Sequence, residues 1–270
     1  MNPTRIARLF NRLRAEGRKG LIGYLTTGDP SPAHTPRLVA ALERGGCDLI
    51  ELGVPFSDPI ADGPVIQRGS ARALEAGTTV RRVLEVARQI RAQSEIPLLL
   101  FTYMNPVLRY GLEALARDAA AAGIDGCLLT DLSVEEAEEY VAVMRSHRLD
   151  TVFLASPTST PRRLALVAKY STGFAYLVSR TGVTGERDQL SGSAPLLVEA
   201  MRVLTDLPLA VGFGISTPEQ VRASAGVADA VVVGSAIVRV IEQNASSRDL
   251  ETKLEAFSRS LAHGLLSKKP

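Results

Sequence analysis

Ile6, Leu9, Phe10 and Leu13 are apolar at i, i+3, i+4, i+7 spacing in an otherwise charged opening segment. That is the pattern of a helix with one buried face. Beyond Gly20 the pattern changes. Short apolar runs at 21–25, 49–52, 98–102, 126–129, 151–154, 174–178, 209–212 and 230–233 alternate with longer amphipathic stretches. Those stretches include 36–44, 80–90, 112–121, 134–145, 162–168, 195–203, 218–225 and 248–261. Most of the runs are apolar throughout rather than alternating, as strands covered on both faces of a parallel sheet require. Helix starts are marked as well. Ser133-Val134-Glu135-Glu136 reads as a capping box, and Thr160-Pro161 and Thr217-Pro218 each place a cap residue before a proline at the first helical position.

Eight strands, each followed by a helix, is the count of an α/β protein of the (β/α)₈ TIM-barrel type, here with an extra N-terminal helix. A doubly wound open sheet shares the same alternation and is the competing arrangement. No linker, composition break or low-complexity segment divides the chain, so 1–270 reads as a single barrel domain.

The bulk properties narrow the function classes. The chain is 46% hydrophobic, enough for a large core. Its 31 Lys and Arg against 29 Asp and Glu leave a net charge of +2, which favours neither a nucleic-acid partner nor a membrane surface. The two cysteines, Cys47 and Cys127, lie in or beside apolar runs and read as buried thiols in a reducing compartment. No Cys/His spacing suggests a metal site. The opening segment lacks the apolar region of a secretory signal, and no apolar run approaches the roughly 18 residues that span a bilayer. The expectation is a cytoplasmic protein.

In a barrel of this type the chemistry sits in the loops at the C-terminal ends of the strands. The second run carries Glu51 and feeds a Pro- and Gly-rich loop with Asp58 and Asp62. Ionised groups resist burial unless paired or used. Glu51 faces either the lumen or the helices, and its bland alternative is a buried pair with a cation. Asp58 and Asp62 are equally compatible with ordinary turn chemistry. The third run ends at Tyr103. The last three runs end in glycine-bearing turns: Ser179 to Gly185, Gly212-Phe213-Gly214-Ile215-Ser216, and Gly234-Ser235. Glycines let backbone N–H groups approach an anion, and helix N-termini add a positive field. The three turns together predict a phosphate cradle. Arg180 is either a phosphate ligand or a loop salt-bridge partner, and Tyr24 and Phe213 either line a pocket or pack. His34, His147 and His263 lie away from these loops and are not favoured as bases.

Here the chain resembles the tryptophan synthase α subunit family. IELGVPFSDPIADGP at 50–64 is similar to that family's signature, and TTGDP at 26–30, YMNPVLRYG at 103–111, YLVSRTGVTG at 176–185, GFGIS at 212–216 and VVGSAIV at 232–238 match in order and spacing. The resemblance implies a (β/α)₈ barrel that cleaves indole-3-glycerol phosphate to indole and glyceraldehyde 3-phosphate. It also implies an α₂β₂ complex with a β subunit that holds pyridoxal phosphate and receives the indole, with no cofactor or metal in this chain. Residue by residue, Glu51 and Asp62 become the catalytic pair. Tyr24, Leu100, Thr130 and Leu154 fall on the indole pocket, Tyr103 and Tyr176 on the substrate site, and Thr184 on a loop that reaches the catalytic Asp. Gly185, Gly212, Phe213, Gly214, Gly234 and Ser235 fall on the phosphate site, and Asp58 on the partner surface. Thr130 and Ser133 depart from the family pattern, which bears on partner contacts more than on chemistry. A free-standing lyase that releases indole, and a non-catalytic phosphate-binding regulatory subunit, remain the alternatives.

Overall fold

The structure is a computed structural model that describes residues 3–178, 193–212 and 214–266. The chain opens with α1 (Arg5–Ala15) and then alternates: β1 (Gly20–Thr26), α2 (Thr35–Arg44), β2 (Leu49–Gly53), α3 (Pro64–Glu75), α4 (Val80–Arg91), β3 (Leu98–Thr102), α5 (Met104–Tyr110), α6 (Leu112–Ala121) and β4 (Gly126–Leu129). The second half runs α7 (Glu138–Ser146), β5 (Asp150–Val152), β6 (Leu154–Ala155), α8 (Pro161–Tyr170), β7 (Ala175–Val178), α9 (Ser193–Arg202), β8 (Leu209–Gly212), α10 (Pro218–Ala225), β9 (Ala230–Val233), α11 (Ser235–Asn244) and α12 (Leu250–His263).

The strands pair in parallel in the order β5-β4-β3-β2-β1-β9-β8-β7-β6. The two ends of that sheet are consecutive in sequence, with Phe153 alone between them. The ring is therefore completed by the chain itself, and the open-sheet arrangement is excluded. The fifth sequence run is one strand interrupted at Phe153, whose ring packs against Tyr140 and Tyr170 at centroid distances of 6.1 and 6.4 Å.

Alternate strand residues serve two cores. Ile50, Leu52, Leu98, Leu100, Val211 and Val231 pack outward against the helices. Ile22, Leu49, Leu99, Leu128, Val152, Ala210 and Val232 point into the lumen and join Ile6, Leu9, Phe10 and Leu13 of α1. The helix predicted at the N-terminus is thus a plug, with its apolar stripe closing the N-terminal end of the barrel. Thr4 caps it by accepting from the Ala7 N–H, and Thr4 Oγ1 donates to buried Asp150 at 2.5 Å. Both cysteines are buried free thiols, each pushed up to about 12 by burial. Among the described residues no helix is long and apolar enough to cross a membrane.

Two of the three cap expectations hold. Thr160 accepts from the Arg163 N–H, and Thr217 forms a full capping box with Gln220. The third does not. Ser133 makes no cap bond; its hydroxyl donates to Glu135 Oε2 at 2.5 Å, Val134–Glu136 form only a single 3₁₀ turn, and α7 starts at Glu138. The Glu136 N–H that the cap would have bound goes instead to the Ser133 carbonyl at 3.0 Å.

Candidate active site

Glu51 belongs to the lumen face. On β2 it shares parity with Leu49, which is in the lumen core, while Ile50 and Leu52 face the helices. The choice left open by sequence is settled by the sense of the pleat. The side chain is 1% exposed, and its Oε1 has no hydrogen-bond partner among the described residues. Burial without a compensating cation pushes its carboxyl up to about 8.

Asp62 arrives from the loop after β2 and is 6% exposed. Pro59 and Pro64 stiffen that loop on either side, and the Gln67 side-chain amide donates to the Asp62 carbonyl at 2.8 Å. Tyr103 Oη donates to Asp62 Oδ2 at 2.9 Å. Burial pushes the Asp62 carboxyl up to about 6, and the Tyr103 bond pulls against that rise. Two carboxyls on one cavity thus differ: the first stays protonated at neutral pH, the second ionised.

The cavity at the C-terminal mouth of the barrel is lined by Tyr24, Glu51, Ala61, Asp62, Ile66, Phe101, Thr130, Leu154, Tyr176, Gly214, Ile215, Val232, Gly234 and Ser235. One wall is apolar and aromatic, with Tyr24 edge-on to Phe101 at 5.2 Å. The Tyr24 and Tyr176 phenols are held well above 10 by burial first and by neighbouring carboxyls second. The opposite wall is the turn at Gly214, with φ 77°, and the start of α11, where Gly234 is the cap residue and Ser235 the first helical one. A left-handed glycine and an unpaired helix N-terminus fit an anion.

Nine of the expected residues therefore meet at one cavity. Leu100 does not, and the expectation for it is corrected: it packs in the outer core, and its neighbour Phe101 takes the wall position, since adjacent strand residues face opposite ways. Tyr103 stands behind Asp62 rather than on the wall. Gly212 is also off the wall. A Cβ there would lie 2.3 Å from Tyr176 Oη, as one at Gly53 would from Tyr24 Oη, so both glycines make room for a tyrosine ring. Asp58 is exposed outside the cavity, bonded to Ser57. Thr184, Gly185 and Phe213, with Arg180, lie outside the described residues. His34 bonds Ser31 and His147 bonds Glu113, and neither lines the cavity. Phe101, Ala61, Ile66, Ile215 and Val232 were not singled out from sequence, although strand parity with Leu99 was available to find Phe101. Among the described residues no group of three or more His, Cys, Asp or Glu comes together as a metal cluster would.

A family model described as the tryptophan synthase alpha chain matches residues 10–265. The chain belongs to the tryptophan synthase alpha chain family. A curated tryptophan synthase alpha chain from Solibacter usitatus is 70% identical over 261 residues, covering 97% of this chain and 98% of that one. Another, from Geobacter sulfurreducens, is 46% identical, covering 96% and 100%. Among solved structures, Mycobacterium tuberculosis tryptophan synthase superposes with a TM-score of 0.90 at 41% identity, covering 98% of this chain and 99% of that one. The alpha subunit from Legionella pneumophila superposes at 0.88 and 36%, covering 98% and 99%. As a member of that family, the protein is a lyase of tryptophan biosynthesis that cleaves indole-3-glycerol phosphate.

Proposed function

We propose that Glu51 and Asp62 carry this cleavage, and that the observation supporting it best is their shared cavity and opposite protonation. The substrate's indole ring lies along Tyr24, Phe101 and Leu154, and its phosphate at Gly214, Gly234 and Ser235. Glu51, protonated, gives its proton to ring carbon C3 while Asp62, ionised, accepts the N1–H bond and offsets the positive charge that spreads onto N1. Glu51, now a carboxylate, takes the proton of the side-chain hydroxyl next to the ring. The electrons of that O–H bond form the aldehyde C=O, the bond between C3 and the side chain breaks, and its electron pair returns to the ring. The products are indole and glyceraldehyde 3-phosphate, with Glu51 again protonated. Every proton in this sequence is handled by the two carboxyls, so no step calls for a cofactor. Pyridoxal phosphate belongs to the reaction of the β subunit, the partner of this family.

The chain acts as one barrel domain in the cytoplasm, paired with that β subunit in an α₂β₂ assembly. Ile60, 77% exposed, and Leu108, 62% exposed, lie on the loop after β2 and on α5. Ile60 places apolar surface on the loop that carries Asp58, and Leu108 adds more on α5, as a docking face requires.

The test is indole release from indole-3-glycerol phosphate, with and without the β subunit. Asp62→Asn and Glu51→Gln should each lower kcat by at least about a hundredfold, the usual scale of lost acid–base catalysis, while leaving the fold intact. Near wild-type turnover by Asp62→Asn would overturn the assignment. A high unaided rate that the β subunit leaves unchanged would favour a free-standing lyase.

A further inference from the structure

We propose that Tyr103 is a positioning residue for Asp62: its phenol donates to one carboxylate oxygen and so keeps that carboxyl aimed into the cavity and ionised. The proposal rests on the role given to Asp62 above and extends it to a residue that does not touch substrate.

The geometry fixes where the phenol proton goes. Tyr103 Oη accepts the Ala61 N–H at 3.1 Å and lies 2.9 Å from Asp62 Oδ2. A hydroxyl has one proton, and an N–H cannot accept it, so it is directed to Asp62. The adjacent Thr130 hydroxyl has its own acceptor, the Thr102 carbonyl at 3.2 Å. The ring itself is held in place. It is 2% exposed, packs against Phe56 at 5.3 Å, and springs from the residue just before α5, where the Met104 N–H is bonded to Asp131 Oδ1 at 2.7 Å.

The surroundings leave Tyr103 with this task. Among the described residues, the ionisable groups that line the cavity with Asp62 are Tyr24 on β1, Glu51 on β2 and Tyr176 on β7. All three are neutral at neutral pH, since burial raises each of them. No Lys, Arg or His lines the cavity among the described residues. Among those residues, the Tyr103 phenol is the one side chain bonded to the Asp62 carboxylate. Its own proton is secure, because burial, and then the nearby Asp62 charge, hold the phenol far above neutrality. Oδ2 is thereby occupied, and the substrate N1–H is assigned to Oδ1, which no described side chain bonds.

The experiment is the pH profile of kcat/KM for the α chain in complex with its β subunit, comparing wild type, Tyr103→Phe and Asp62→Asn. This ratio reports the ionisations of the free enzyme. Tyr103→Phe keeps the ring and removes one bond to an anion, a change of about tenfold in the carboxyl's proton affinity. The acid limb should move up by about one pH unit, with about a fivefold loss near pH 6 and recovery to within about threefold by pH 7.5. The alkaline limb, set by Glu51, should stay in place. Infrared titration of the Asp62 carboxyl should show the same upward move. An unmoved acid limb, or a loss equal at every pH, with Asp62→Asn inactive, would overturn the proposal and leave Tyr103 a packing residue. An active Asp62→Asn would overturn the catalytic assignment beneath it.

Discussion

Glu51 and Asp62 show how far environment separates two carboxyls on one cavity. Glu51 Oε1 has no hydrogen-bond partner among the described residues and burial raises the carboxyl, whereas Asp62 has a phenol to hold its charge. This has a consequence for stability. Folding raises Glu51 from 4.5 to about 8, so the folded chain binds this proton more tightly than the unfolded chain does. The stability it permits is fully present below pH 4.5 and is lost as pH rises through about 8. Glu51→Gln removes that loss. In urea unfolding, the variant should gain on wild type between pH 5 and pH 8.5, approaching an advantage on the order of 4 kcal/mol. A gap that does not change with pH would mean the carboxyl is not held protonated. At this scale the sequence was legible for residue types and not for direction. The acid in an apolar strand was visible at Glu51, but lumen or helix was not, and Leu100 was placed on the wrong face by one residue.

The elements that carry the site are tied together away from it. Arg72 on α3 grips Asp29 in the loop after β1 with two bonds of 2.8 and 2.7 Å, and reaches Glu242 on α11 at 2.7 Å. Arg68, one turn earlier, holds Glu242 with bonds of 2.7 and 2.9 Å. The helix that follows the Asp62 loop and the helix that begins at Ser235 are thus clamped to each other. Asp29 is fully buried, so removing Arg72 strands an uncompensated carboxylate. Arg72→Met should cost about 3 kcal/mol, read from the urea midpoint. No motif announced this cluster, since its members are spread over three separate elements. Helix starts were readable where a threonine precedes a proline, because that signal is local. At Ser133 the Glu136 N–H goes to the backbone carbonyl rather than the hydroxyl, a choice invisible without coordinates.

At the scale of the whole molecule, the barrel brings the loops of β2 and β3 to one face, where Phe56 and Ser57 share a cavity with Pro106 and Arg109 of α5, and Ile60 and Leu108 are exposed on those two segments. Leu108→Asp should weaken association with the β subunit by at least about tenfold, as loss of a buried apolar contact does, and leave unaided cleavage within about twofold. Titration calorimetry and the unaided indole assay check the two halves. The chain by itself determined the strand and helix order, the closed-barrel count and the set of chemical groups, because hydrophobic period and turn chemistry act over a few residues. Tertiary structure decided what depends on closure. Only the ring shows that α1 is a plug, that strand five breaks at Phe153 and that Phe101 rather than Leu100 meets the cavity. Only there does Tyr103, 41 residues from Asp62 in sequence, come within a hydrogen bond of it. Sequence separation carries no information about that meeting, since it arises from two neighbouring strands ending at the same height on one side of a barrel.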